Sequence, residues 1–105
     1  MTETRIQQLQ SFIEEDPSDP FNIYVLALEY VKVGMGSEAQ VLFEDLLTNH
    51  TNYLPLYYHF GQMLEVKNQK QQAIDIYLAG EKIAKEQCNI KTMNELRSAR
   101  EMLED

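Results

Sequence analysis

The stretch that decides the fold is residues 58–80, which read YHFGQMLEVKNQKQQAIDIYLAG. Apolar residues recur every three or four positions on both sides of Gly61, and this spacing is typical of an α-helix rather than a strand. Glycine inside a helix costs roughly 1 kcal/mol relative to alanine. Some other interaction must therefore offset the free-energy cost of Gly61.

The composition is that of an ordinary globular protein, with 105 residues, 44% of them hydrophobic and 25% charged. This length suffices for one domain with its own core. No apolar run approaches the ~20 residues that cross a bilayer, and the N-terminus lacks the basic start and apolar core of a signal peptide. The single cysteine, Cys88, cannot form an internal disulfide, which agrees with a reducing compartment. We therefore expect a cytoplasmic protein.

The negative charge is concentrated in the first half of the chain. Residues 1–53 hold nine acidic residues against Arg5 and Lys32, a net charge of −7, whereas residues 54–105 hold eight against seven basic ones, a net charge of −1. Nucleic acid and anionic membranes need clustered Lys and Arg, so we expect neither as a partner. A basic peptide or protein would be attracted, although the same acids can simply solvate helix faces.

Helical spacing continues along the whole chain and predicts an all-α domain of six helices. Pro17 ends the first helix, and Asp19 with Pro20 begins the second as N-cap and first-turn residue. Gly34 can take the left-handed conformation that ends a helix, and Asn68 can do the same for the fourth.

Later helix starts are predicted from polar residues. Ser37 with Gln40 resembles a capping box for the third helix, and Asn52 can cap the fourth. Thr92 with Glu95 resembles another capping box, which would start the last helix there.

The second and third helices repeat as the fourth and fifth. Ala39 and Ala73 are 34 residues apart, and the same shift keeps large residues on large ones and small on small. The pairs are Ile23 with Tyr57, Leu26 with Phe60, Ala27 with Gly61, Tyr30 with Leu64, Phe43 with Tyr77, and Gly34 with Asn68.

A family resemblance follows from the residues Leu26-Ala27, Tyr30, Gly34, Ala39, Phe43, Tyr57, Phe60-Gly61, Leu64, Ala73, Tyr77 and Gly80. In this register the chain resembles the tetratricopeptide repeat family, and within it the small, bacterial-type domains. The resemblance implies a right-handed superhelix of helix-turn-helix repeats. It divides the single domain over residues 1–105 into an incomplete repeat at 1–17, repeats at 20–53 and 54–87, and a C-terminal capping helix at 90–105.

Such a repeat explains the glycine. Two helices pack closely only where small side chains let their backbones approach. The small residues of the pattern are Ala27, Ala39, Gly61, Ala73 and Gly80. We therefore expect Gly61→Leu to destabilise the domain more than Ala39→Gly does.

No residue pattern predicts catalysis. His50, His59 and Cys88 are the only nitrogen and sulfur ligands of a metal-binding type, and no two have the short spacing of zinc sites. Phosphate-binding loops, the dinucleotide fingerprint and the nucleophile elbow are absent from the sequence. We expect a protein that is not an enzyme and that has no metal and no cofactor.

The resemblance implies a concave groove lined by the first helix of each repeat. The matching residues are Tyr24, Leu28 and Val31 in one repeat and Tyr58, Gln62 and Glu65 in the next. These predict a non-enzymatic module that binds a peptide or helix of a partner protein. The alternative is that both tyrosines pack between neighbouring helices and that the chain is a self-associating scaffold. The polar closing helix favours a monomer over a homodimer.

Overall fold

Six α-helices make up the computed structural model, which describes residues 4–104. They are α1 (Arg5–Glu15), α2 (Pro20–Lys32), α3 (Gly36–Asn49), α4 (Pro55–Val66), α5 (Lys70–Glu86) and α6 (Ile90–Leu103). The predicted all-α class with six helices is confirmed. The outer limits of the predicted first and last segments, at residues 1 and 105, lie outside the described residues.

The chain divides into two compact units between Tyr53 and Leu54. We call them the N-terminal unit, which contains α1 to α3, and the C-terminal unit, which contains α4 to α6. In the N-terminal unit α1 and α3 each pack against α2, and in the C-terminal unit α4 and α6 each pack against α5. The assignment of residues 20–53 and 54–87 as repeats stays a prediction.

Three of the turns between helices share one backbone geometry. Gly34, Asn68 and Cys88 have positive φ angles of 81°, 60° and 58°. After Gly34, the Met35 N–H donates to the Tyr30 carbonyl at 2.8 Å, and the equivalent bonds after Asn68 and Cys88 measure 2.9 and 2.8 Å. This six-to-one bond defines the Schellman motif, which ends a helix by satisfying its last carbonyls. The predicted helix ends at Gly34 and Asn68 are confirmed.

The same turns explain why two predicted caps are wrong. A Schellman turn occupies so few residues that the next helix starts directly after it. The N-cap of α3 is therefore Met35 rather than Ser37, and no side chain caps this helix. Likewise α6 starts after Asn89, whose side chain accepts a 3.1 Å bond from the backbone N–H of Thr92. Thr92 is thus inside the first turn instead of capping it.

Helices that begin with proline differ in their caps. Asp19 caps α2 as predicted, because its carboxylate accepts a 3.0 Å bond from the Phe21 N–H and Pro20 needs no partner. The predicted cap Asn52 is wrong. Leu54 is the N-cap of α4 and already has helical angles of −58° and −38°, so the helical conformation starts two residues beyond Asn52.

Each unit has its own apolar core. The N-terminal unit buries Leu9, Ile23, Leu26, Ala27, Ala39, Phe43 and Leu46, and the C-terminal unit buries Leu54, Leu56, Tyr57, Phe60, Met63, Leu64, Ala73, Ile74, Tyr77, Ile83, Ala84 and Leu96. Helical spacing places Phe12 on the same face of α1 as Leu9, but Phe12 is 45% exposed. The buried residue of α1, which packs against α2, is Leu9.

Gly61 lies directly against the ring of Tyr77. A Cβ atom added to Gly61 would come within 2.6 Å of Tyr77 Cζ and 2.7 Å of its Cδ1, which is closer than real carbon contacts. Gly80 has the reciprocal place on α5, where a Cβ would come within 2.6 Å of Tyr57 Cβ and 2.8 Å of Leu96 Cδ1. Burial of these aromatic rings offsets the helix propensity that the two glycines lose.

We predict that Gly61→Leu lowers the free energy of unfolding by more than about 3 kcal/mol, because overpacking of a filled core costs typically 1–3 kcal/mol and this site cannot accept one carbon. Ala39→Gly removes a buried methyl group and some helix propensity, a loss of about 2 kcal/mol. Ala73→Gly is the same change in the unit that contains Gly61. Urea unfolding followed by circular dichroism measures all three. The close contact would be contradicted if Gly61→Leu were at least as stable as Ala39→Gly and Ala73→Gly.

Candidate functional site

Tyr58, Gln62 and Glu65 lie on one face of α4 and line a groove of about 690 Å³ in the C-terminal unit. Their spacing of four and three residues aligns them along the helix. Tyr58 is 36% exposed, Gln62 is exposed and Glu65 is half-buried. The structure therefore brings together the half of the predicted site that belongs to this unit.

The opposite wall of this groove is formed by α6, to which the sequence prediction gave only a capping role. It contributes Lys91, Asn94, Glu95, Ser98, Ala99 and Met102. These residues recur at alternating intervals of three positions and one position on one helix face, and Met102 is 80% exposed. That mostly polar stripe is the sequence signal that could have identified the second wall. We call this site the α4–α6 groove.

Tyr77 of α5 connects the groove to the core. Its ring is fully buried, and its hydroxyl donates a short hydrogen bond to the Glu65 carboxylate. Burial raises the pKa of Tyr77, and the bond to Glu65 raises it further, so the hydroxyl remains a donor. The ring of Tyr58 lies 6.4 Å from that of Tyr77, tilted by 46°. A buried group thus fixes the position of the Glu65 carboxylate in the groove wall.

An ion pair fixes α6 against α5. Arg100 donates from Nε to Glu81 Oε2 at 2.5 Å and from Nη2 to Glu81 Oε1 at 3.0 Å. The two side chains are only 18% and 14% exposed. Hydrogen bonds to Glu81 and Glu104 raise the pKa of Arg100, which stays charged. Because this forked geometry is specific to arginine and carboxylate, it defines how α6 lies beside the groove.

The other predicted residues, Tyr24, Leu28 and Val31, share a face of α2 in the N-terminal unit. The Tyr24 ring makes an edge contact with Tyr53 at 5.5 Å between centroids, and burial with the neighbouring Tyr53 raises the pKa of Tyr24. Leu28 is half-buried and Val31 is 43% exposed. Tyr24 is therefore partly engaged within its own unit. That the two sets of three residues form one continuous wall stays a prediction.

The described part of the chain offers little material for a metal site or a membrane segment. Among residues 4–104, no group of three or more His, Cys, Asp or Glu side chains could hold a metal ion. His59 Nδ1 lies 3.4 Å from the carbonyl oxygen of Pro55 in the preceding turn, and Cys88 is exposed. Over the same residues, every helix is too short or too polar to span a bilayer.

The bond between Tyr77 and Glu65 predicts a measurable loss in Tyr77→Phe. Hydrogen bonds to charged groups contribute about 1.5–3 kcal/mol, and we expect the lower end because Glu65 is half-buried. Tyr58→Phe, which removes a hydroxyl from an exposed ring, should change stability by less than about 0.5 kcal/mol. Urea unfolding, with Glu65→Gln completing a double-mutant cycle, measures the coupling. Equal effects of the two phenylalanine variants would argue against the bond.

Two solved structures of a tetratricopeptide repeat domain protein from Salinibacter ruber are similar to this chain. Its solution NMR structure has a TM-score of 0.81 at 38% sequence identity, and the match covers 85% of this chain and 90% of that one. Its crystal structure has a TM-score of 0.77 at 37% identity, with coverage of 82% and 96%. No family model and no curated protein match the chain.

This fold suggests a protein-interaction module, and tetratricopeptide repeat domains are generally non-catalytic. The similarity extends over most of both chains, and it accompanies the Schellman turns and the close contact at Gly61. The chain belongs to the tetratricopeptide repeat family.

Proposed function

We propose that the chain is a non-enzymatic interaction domain that holds a polypeptide segment of a partner protein in the α4–α6 groove. The observation that carries this proposal is that three residues of α4 face six of α6 across one open groove. Tyr58 and Glu65 are seven residue steps apart on the helix, about 10 Å at 1.5 Å per step, with Gln62 between them. That length accommodates about three residues of an extended peptide at 3.3 Å each.

The lining of the groove suits a peptide more than a small apolar ligand. Tyr58 offers a rigid ring with a polar tip, a side chain that contributes strongly to protein interfaces. Gln62, Asn94 and Ser98 supply donors and acceptors for a peptide backbone. Glu65 and Glu95 outnumber Lys91, so a segment with a basic residue complements the groove.

The predicted residues Tyr24, Leu28 and Val31 would form a binding surface of their own on α2 in the N-terminal unit. Their exposure supports a contact through Val31 and the edge of Leu28 more than through Tyr24, whose ring contacts Tyr53. We propose no cofactor and no catalytic residue. We further propose that the free protein is a monomer, because polar residues dominate the exposed face of α6.

Capture of partners from native cell extract by immobilised variants tests the α4–α6 groove. Tyr58→Ala should reduce recovery at least about tenfold, since truncation of a central interface aromatic costs 2 kcal/mol or more. Val66→Ala is the matched control, because Val66 is an 82% exposed residue of α4 that does not line the groove. Tyr24→Ala/Tyr58→Ala then measures what α2 adds.

Circular dichroism must first establish that each variant is folded. Equal recovery of the same partners by wild type, Tyr58→Ala and Val66→Ala would exclude the groove. Sedimentation of the free wild-type chain separates the scaffold alternative: a concentration-dependent dimer that Tyr58→Ala dissociates would replace partner binding by self-association.

A further inference from the structure

The N-terminal unit contains a second groove, which the proposed function does not use. It lies between α1 and α3, which both pack on α2, and its volume is about 610 Å³. Its apolar lining includes Ile13 from α1, Leu26 from α2 and Leu42 from α3. Val41 at the same groove is 65% exposed. We call it the α1–α3 groove.

A hydrogen bond at this groove connects α1 to α2. The side-chain amide of Gln10 donates to the Tyr30 hydroxyl at 3.1 Å, and both residues line the groove. Together with the packing of Leu9, which is 2% exposed, this bond fixes the wall that α1 provides. The groove is therefore a formed feature of the unit.

The charges at this groove have one sign. Glu14 on α1 and Glu38 on α3 both line it, and no basic residue does. From residue 4 to residue 53 the unit has eight acidic residues against Arg5 and Lys32. An apolar surface between carboxylates excludes polyanions and acidic peptides, and it attracts a cation that also has apolar neighbours.

We propose that the α1–α3 groove is a second docking site, for a partner segment in which an apolar side chain is flanked by lysine or arginine on both sides. The apolar side chain packs between Ile13 and Leu42 over Leu26. The flanking cations pair with Glu14 and Glu38. Within this chain the Lys82–Lys85 segment has this pattern, but it buries Ile83 and Ala84 in the core, so a second copy does not present it.

Titration of isotope-labelled protein with short blocked peptides, followed by amide chemical shifts, tests the proposal. The probes are peptides in which two lysines flank one leucine at separations of two, three or four residues. Control probes replace leucine by serine or both lysines by glutamate. We expect at least one lysine–leucine probe to shift amides of the α1–α3 groove and to bind at least tenfold more tightly than both controls.

Two charge-reversal variants separate local pairing from the general field of the unit. Glu14→Lys/Glu38→Lys should weaken binding of that probe at least tenfold. Glu15→Lys/Glu44→Lys changes the net charge equally on the same two helices but outside the groove, and should change binding less than threefold. Equal weakening by both variants would overturn the proposal, as would the absence of binding.

The location of the shifted amides distinguishes this site from the α4–α6 groove. Shifts confined to α4 and α6 would overturn the second site and support the first. Shifts confined to α1, α2 and α3 that survive Tyr58→Ala support the second site whatever the fate of the first.

Discussion

The contact between the Gly61 backbone and the Tyr77 ring determines much of the C-terminal unit. The missing side chain lets an aromatic ring lie flush on α4, at a distance that no other residue would allow. From that position the Tyr77 hydroxyl reaches Glu65, one turn further along α4. Gly80 accepts Tyr57 and Leu96 in the same way, so α4, α5 and α6 come together through two glycines. The α4–α6 groove exists because those helices are placed in this manner.

The two units offer different surfaces built from the same local elements. The same Schellman turn joins α2 to α3 in one unit and α4 to α5 in the other, and small residues lie at matched sequence positions. The α4–α6 groove combines the ring of Tyr58, side-chain amides and nearly balanced charge, which suits a peptide backbone. The α1–α3 groove combines apolar side chains with two carboxylates and no basic residue, which suits a basic and apolar segment. The uneven charge of the sequence thus gives the α1–α3 groove the stronger preference for a basic ligand.

Sequence reasoning predicted the features that depend on periodicity and on backbone conformation. The helices, the breaks at Gly34 and Asn68 and the cap at Asp19 follow from residue types whose local preferences are strong. It failed where tertiary context or turn length decides. Ser37 and Thr92 have the chemistry of caps, but the preceding turns start each helix earlier. Phe12 has the chemistry of a core residue, yet it is 45% exposed, and Leu9 is the buried residue of α1.

Only the α4 wall of the α4–α6 groove was predicted from the sequence, for a similar reason. Tyr58, Gln62 and Glu65 follow from helical spacing and family resemblance, because a single helix face is visible in sequence. To predict the α6 wall, one must know which face of α6 packs against α5. That face is set in part by the ion pair of Arg100 with Glu81, which is 19 residues away in sequence. The α1–α3 groove likewise unites residues from three helices, which no local pattern could associate.

Nuclear Overhauser spectroscopy of the folded protein tests the contact of the Tyr77 ring with the backbone of Gly61 most directly. We expect strong cross-peaks between the α protons of Gly61 and the ring protons of Tyr77. Those α protons should also change chemical shift in Tyr77→Leu. Absence of these cross-peaks, in a protein whose α4 and α5 are helical, would contradict this contact.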